Sequence, residues 1–222
     1  MHASKLTWIF DLDDTLHQAS AHVFPHLNRS MTEYIMRHLD LDEEAAGVLR
    51  RRYWHAYGAT LLGLVRHHDV DPHHFLWHTH QFPELDRMVV HEAGLRHCLR
   101  RLAGRKILFS NSPQHYAQAV LDVLGVGELF DAVYSIESVG FQPKPAPGGF
   151  RALLARERLL PERSVLVEDS LPNLATARRL GMKTIWVSRE PRRPAWLDVR
   201  VNSVMDIPRM LPRLAKGLWI SR

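Results

Sequence analysis

Only one cysteine, Cys98, occurs in the chain, so no internal disulfide can form, and this usage fits a reducing compartment. His97 and Leu99 beside it lie in a helix-like pattern. Without a resolving thiol, a buried structural role is expected rather than redox chemistry. Long apolar runs are missing as well. The longest, such as Ala59 to Val65, fall well short of the roughly 20 residues that a transmembrane helix needs. Residues 1–10 carry one lysine and neither an apolar signal core nor a small-residue cleavage site, so a cytoplasmic protein with no membrane partner is expected. Repeats and low-complexity tracts are absent, which argues against a repeat architecture. Extended blocks of like charge are lacking too. The clusters Arg50-Arg51-Arg52, Arg178-Arg179 and Arg192-Arg193 are short and far apart, and they read as solvated basic surface. Nucleic acid is therefore not the expected partner, although the net charge is +5. A small positive excess instead suits steering of an anionic small substrate.

What is present is an ordinary globular composition, with 45% apolar and 24% charged residues. A length of 222 residues allows one substantial core and a smaller insertion. Short apolar runs recur at Thr7-Trp8-Ile9-Phe10, Lys106-Ile107-Leu108-Phe109, Ser164-Val165-Leu166-Val167 and Thr184-Ile185-Trp186-Val187, with a weaker one from Ala132 to Ile136. Helical patterns separate them, over Ala117 to Leu124, Gly149 to Arg158, and Leu171 to Leu180 with Gly181 as its stop. Strands alternating with helices predict an α/β fold with a doubly wound parallel sheet, a Rossmann-like core. Ligands of such sheets bind at the carboxyl ends of the strands. Polar groups stand at four of those ends: Asp11/Asp13, Ser110/Asn111, Glu137 and Glu168/Asp169.

Residues 17–89 carry no convincing strand. Their helical patterns run over Leu27 to Leu39, Glu43 to Tyr57, Leu61 to His68 and Pro72 to His80, with Asp42 and Asp71 as N-caps. The expected organisation is a core formed by residues 1–16 and 90–222, with an inserted α-helical cap domain over 17–89. A terminal helix is expected from Pro208 to Arg222.

Asp11 and Asp13, two apart just past a strand, are able to project into one crevice as nucleophile and proton carrier. The same residues also suit an acidic turn that caps the next segment. The rest of the chain favours the first reading. Asp11-Leu12-Asp13-Asp14-Thr15-Leu16 resembles the first signature of the haloacid-dehalogenase-like hydrolase superfamily, Asp-x-Asp-x-Thr. Phe109-Ser110-Asn111-Ser112 resembles the second, Lys144 in Gln142-Pro143-Lys144-Pro145 the third, and Val167-Glu168-Asp169-Ser170 the fourth, all in the family's order.

That resemblance implies a Mg²⁺-dependent phosphatase. Asp11 is then the nucleophile that forms an aspartyl-phosphate, and Asp13 protonates the leaving alcohol and later activates water. Asp11 and Asp169 would bind Mg²⁺ through carboxylates and Asp13 through its backbone carbonyl, with Glu168 left open as a direct or water-mediated ligand. Lys144 would neutralise charge beside Asp11. Ser110, with the backbone N–H of Asn111, would hold the phosphate, and Thr15 would orient the loop. The family's dehalogenases lack an acid where this chain has Asp13, which favours phosphoryl transfer.

Within the superfamily, Tyr57-Gly58-Ala59-Thr60-Leu61-Leu62-Gly63-Leu64, Tyr53 and Phe24-Pro25-His26-Leu27-Asn28 resemble the cap of a pyrimidine 5′-nucleotidase branch. The implied substrate is a nucleoside monophosphate such as UMP or CMP, with Phe24, Tyr53, Tyr57 and Trp77 available to stack on a base or to form core. A sugar-phosphate or phosphoglycolate phosphatase is the alternative, and an inactive phosphatase fold that binds nucleic acid is the reading from another class. A monomer or homodimer is expected. The histidines at 67, 68, 73, 74, 78 and 80 are expected on a solvated or partly buried helix face, not as a transition-metal site.

Overall fold

A computed structural model describes residues 6–211. The expected terminal helix lies for the most part outside them. Six parallel strands form one sheet: β1 (Thr7–Phe10), β2 (Arg105–Phe109), β3 (Ala132–Tyr134), β4 (Ser164–Glu168), β5 (Lys183–Val187) and β6 (Val199–Val201), in the order β3-β2-β1-β4-β5-β6. The chain builds outward from β1 through β2 to β3, then returns to lay β4 on the other side of β1. That reversal opens a crevice at the carboxyl ends of β1, β2 and β4.

Helices cover both faces. On one face, Trp8, Phe10, Leu108, Val165 and Val167 pack with Cys98 and Leu99 of α6 (Leu95–Arg101) and with Ala117, Val120 and Leu121 of α7 (Gln114–Leu124). On the other, Ile9, Ile107, Phe109 and Leu166 pack with Phe150 and Leu153 of α8 (Pro147–Arg156) and Leu174 and Ala177 of α9 (Leu171–Arg179). Burial of both faces is why the strands read as unbroken apolar runs and not as alternation. Cys98 is buried, and its thiol donates to the Val204 carbonyl at 3.4 Å, a structural role.

Between β1 and β2 the chain forms α1 (Ala19–Leu39), α2 (Glu43–Tyr57), α3 (Thr60–His68), α4 (Pro72–Thr79) and the short α5 (Leu85–Met88). Asp42 caps α2 by accepting from Ala45 N–H at 2.8 Å, and Asp71 caps α4 by accepting from His73 and His74. α1 begins eight residues earlier than its pattern suggested and runs through Pro25, which forgoes one backbone bond without ending the helix. α2 and α3 meet closely at Gly63, where a Cβ would stand 2.1 Å from Cγ of Tyr53. Only glycine fits there. Among the described residues, no helix is long and apolar enough to cross a membrane.

Candidate active site

Asp11 directly follows β1, and its N–H donates to the Val167 carbonyl at 3.0 Å, extending the sheet by one step before the chain turns away. Its side chain meets Lys144 from the loop before α8. The Lys144 ammonium donates to Asp11 Oδ1 at 2.6 Å, to Glu168 Oε2 at 2.8 Å and to the Phe109 carbonyl at 2.8 Å, so its three N–H groups are all used. Lys144 is only 2% exposed. Burial opposes its charge, but the Asp11 and Glu168 carboxylates outweigh that and hold the ammonium above the usual lysine range.

One cation does not balance the acids. A carboxylate oxygen from each of Asp11, Glu168 and Asp169 lies within 4.8 Å of the others. Burial and then the Glu168 charge push the Asp11 carboxyl well above its ordinary value, and burial and Asp11 push Asp169 up to about 6. Such crowded hard oxygen donors suit a divalent cation such as Mg²⁺. Glu168 is fully buried and anchors Lys144, while Ser170 N–H reaches its other oxygen at 3.3 Å.

Asp13 faces elsewhere. Ser112 Oγ donates to its Oδ2 at 2.8 Å, and the Tyr116 hydroxyl to its Oδ1 at 2.6 Å. Nε2 of His17 lies 3.0 Å from that same Oδ1, and a nitrogen facing a carboxylate carries the hydrogen. Burial by itself would raise the Asp13 carboxyl. The bonds from His17, Tyr116 and Ser112 outweigh it and hold the group below its ordinary value. The two aspartates of one short segment are thus driven in opposite directions. Nothing in the chain's local pattern marked Tyr116 or His17 for this place.

Several expectations need correction. Glu137 is not in the crevice, for its carboxylate accepts from Gln114 N–H at the start of α7. Thr15 has a buried hydroxyl without a hydrogen-bond partner among the described residues. Asp14, at a φ of 57°, accepts from the N–H and hydroxyl of Ser20 and ties the loop to α1. The Asn111 side chain clamps the backbone of Lys144, donating to its carbonyl at 2.9 Å and accepting from its N–H at 2.8 Å. Ser110 Oγ accepts from Ser112 N–H at 3.0 Å, which leaves its own hydrogen free to donate.

A cavity of about 580 Å³ lies between this cluster and the inserted helices. Asp11, Asp13, Ser110, Asn111, Lys144 and Asp169 line its floor. Across from them stand Phe24, Asn28, Arg50, Arg51 and Trp54. Two arginines expected on a solvated surface therefore face the cavity. Of the aromatic candidates, Phe24 alone lines it. Tyr53 and Tyr57 bond to His68 and His67 at 2.7 and 2.6 Å, and Trp77 rests against His115. His74 likewise meets the Tyr34 hydroxyl, at 2.8 Å. His80 lines the cavity near Asp13. Its Nδ1 faces the Leu76 carbonyl at 3.1 Å, and burial pushes its pKa down to about 4, so it is neutral.

A parallel α/β sheet here places a carboxylate, a buried lysine and an acidic cluster at its switch point, where sheets of this kind bind their ligands. The family model for haloacid dehalogenase-like hydrolases matches residues 7–181, and the chain belongs to that family. Phosphoglycolate phosphatase of Rhodospirillum rubrum is 30% identical over 207 residues, covering 82% of this chain and 81% of that one. Phosphate metabolism protein 8 of Saccharomyces cerevisiae is 25% identical over 195 residues, covering 81% of this chain and 60% of its own length. Among solved structures, a haloacid-dehalogenase-type phosphatase from Thermococcus onnurineus aligns with a TM-score of 0.67 at 18% identity, over 93% of this chain and 97% of that one. CbbY from Rhodobacter sphaeroides, solved with phosphate, aligns at 0.66 and 19% identity over 91% and 96%. The family makes the chain a hydrolase, and the relatives at about 30% identity are phosphatases.

Proposed function

We propose that the protein hydrolyses phosphomonoesters through an aspartyl-phosphate on Asp11 and that its substrate is a pyrimidine nucleoside 5′-monophosphate. Asp11, Asp169 and the Asp13 carbonyl would hold Mg²⁺, which when bound offsets the negative charge shared by phosphate and carboxylates. Ser110 donates to a phosphoryl oxygen, and Lys144, whose three N–H groups are already engaged, attracts the phosphoryl group through its fixed positive charge. Lys144, fixed by Glu168 and the Phe109 carbonyl, is already in place before substrate arrives, so its field costs no reorganisation. Asp11 attacks phosphorus as the ester P–O bond breaks, and the departing oxygen takes a proton from Asp13. Asp13 is ionised in the substrate-free site and takes up that proton from solvent as the arriving phosphate adds like charge beside it and raises its proton affinity. Asp13 then removes a proton from water, whose oxygen attacks phosphorus and returns Asp11 and inorganic phosphate.

The observation that carries the nucleotide reading is the cavity. About 580 Å³ is room for a nucleotide and far more than a two-carbon leaving group fills. Its cap wall holds two separate aromatic side chains, Phe24 and Trp54, and two arginines. A second reading has its own support, since several relatives at 30–31% identity are phosphoglycolate phosphatases. Phosphate release from UMP, CMP and phosphoglycolate, each with wild type and Asp11→Asn, separates the two. Preference for the nucleotides, abolished by Asp11→Asn, is expected. A preference for phosphoglycolate overturns the nucleotide assignment, and turnover that survives Asp11→Asn overturns the mechanism.

A further inference from the structure

Arg50 occupies an unusual position on the cap wall. Its Nε donates to Thr32 Oγ1 at 3.2 Å, and one Nη1 hydrogen to Asn28 Oδ1 at 2.5 Å. Those two bonds cross from α2 to α1 and hold the guanidinium plane in one orientation. Three further N–H groups have no protein partner among the described residues, and no carboxylate pairs with Arg50 there. Burial and the neighbouring Arg51 both work against its charge. A partly buried guanidinium without a counter-ion, facing a cavity, is a donor set awaiting oxygen acceptors. Trp54, four residues on and 57% exposed, lines the same wall and offers a flat apolar face.

We infer that Arg50, held by Asn28 and Thr32, selects the leaving group by donating to a carbonyl oxygen of a pyrimidine base that lies against Trp54. This rests on the nucleotidase reading and deepens it. A ring carbonyl oxygen, which uracil and cytosine share at O2, carries two in-plane lone pairs that can accept from two N–H groups of the planar arginine fork, whereas lysine offers a single point charge. Asn28 acts at one remove as a positioning residue.

The test compares kcat/KM for UMP with that for phenyl phosphate, whose leaving group carries no carbonyl, in wild type, Arg50→Met, Arg50→Lys and Asn28→Ala. The ratio of the two constants cancels any general loss of folded enzyme. Arg50→Met is expected to lower the UMP-to-phenyl phosphate ratio by at least about tenfold, chiefly through KM, with only partial recovery in Arg50→Lys. Asn28→Ala is expected to lower it by a smaller factor. An unchanged ratio in Arg50→Met overturns the Arg50 assignment while leaving nucleotidase activity standing. A loss confined to phosphoglycolate, measured alongside, overturns the base as occupant. Wild-type enzyme that cleaves phenyl phosphate but no nucleoside monophosphate defeats the nucleotidase reading and the Arg50 assignment together.

Discussion

Asp169 is where the charge imbalance of the site is open to measurement. Burial and the Asp11 charge push its carboxyl from an ordinary 3.8 up to about 6 in the metal-free protein. The folded chain therefore binds this proton more tightly than the unfolded chain does. By linkage, the stability this contributes is complete below about pH 4 and is lost as pH rises toward about 6. Above that, the ionised group costs roughly 3 kcal/mol, from about two pH units at about 1.4 kcal/mol each. Asparagine has nearly the same shape and no charge to bury. In chelator near pH 7.5, Asp169→Asn is expected to exceed wild type in stability by up to roughly 3 kcal/mol, or about 6–12 °C in Tm for a chain of this size. The gap is expected to close as pH falls toward about 4, where wild-type Asp169 is itself protonated. Calorimetric melts of both proteins across that range provide the measurement. Added Mg²⁺ is expected to raise the wild-type Tm and leave the variant much less affected. A variant no more stable than wild type at neutral pH in chelator, or a gap that ignores pH, would refute the reasoning.

Three further outcomes are expected. Lys144→Met leaves two buried carboxylates without their cation and is expected to destabilise by roughly 3–5 kcal/mol in neutral urea melts, with part recovered on acidification as Asp11 and Glu168 take up protons; an unchanged midpoint refutes this. Tyr116→Phe removes one donor from Asp13, so the Asp13 carboxyl is expected to rise by about one unit, a shift that the pH–rate profile would report; superimposable profiles would count against it. Gly63→Ala drives a methyl group into the Tyr53 ring, and a loss of roughly 1–3 kcal/mol is expected in thermal melts, whereas a neutral result would show that the helices part freely.

Much of the core was legible because burial on both faces of the sheet leaves uninterrupted apolar runs. β1 falls where its run predicted, and β2, β4 and β5 differ from theirs by one residue at an end. β6 escaped because three residues with Arg200 at their centre carry no such signal. The start of α1 was misplaced because Pro25 reads as a helix breaker when viewed locally, while packing of Val23, Tyr34 and Ile35 supports the helix on both sides of it.

The sequence by itself determined that Asp11, Ser110, Lys144 and Asp169 stand at or beside strand ends in one ordered series, because strand periodicity and motif spacing are local properties. Which groups meet across the chain was decided only by the tertiary structure. Tyr116 reaches Asp13 across 103 positions, and Lys144 reaches Asp11 across 133. Packing of α2 on α1 turned Arg50 toward the cavity, although a short basic cluster looks the same in sequence whether it faces solvent or substrate. Side-chain direction depends on the packing of neighbouring helices, and no local window of residues contains that information.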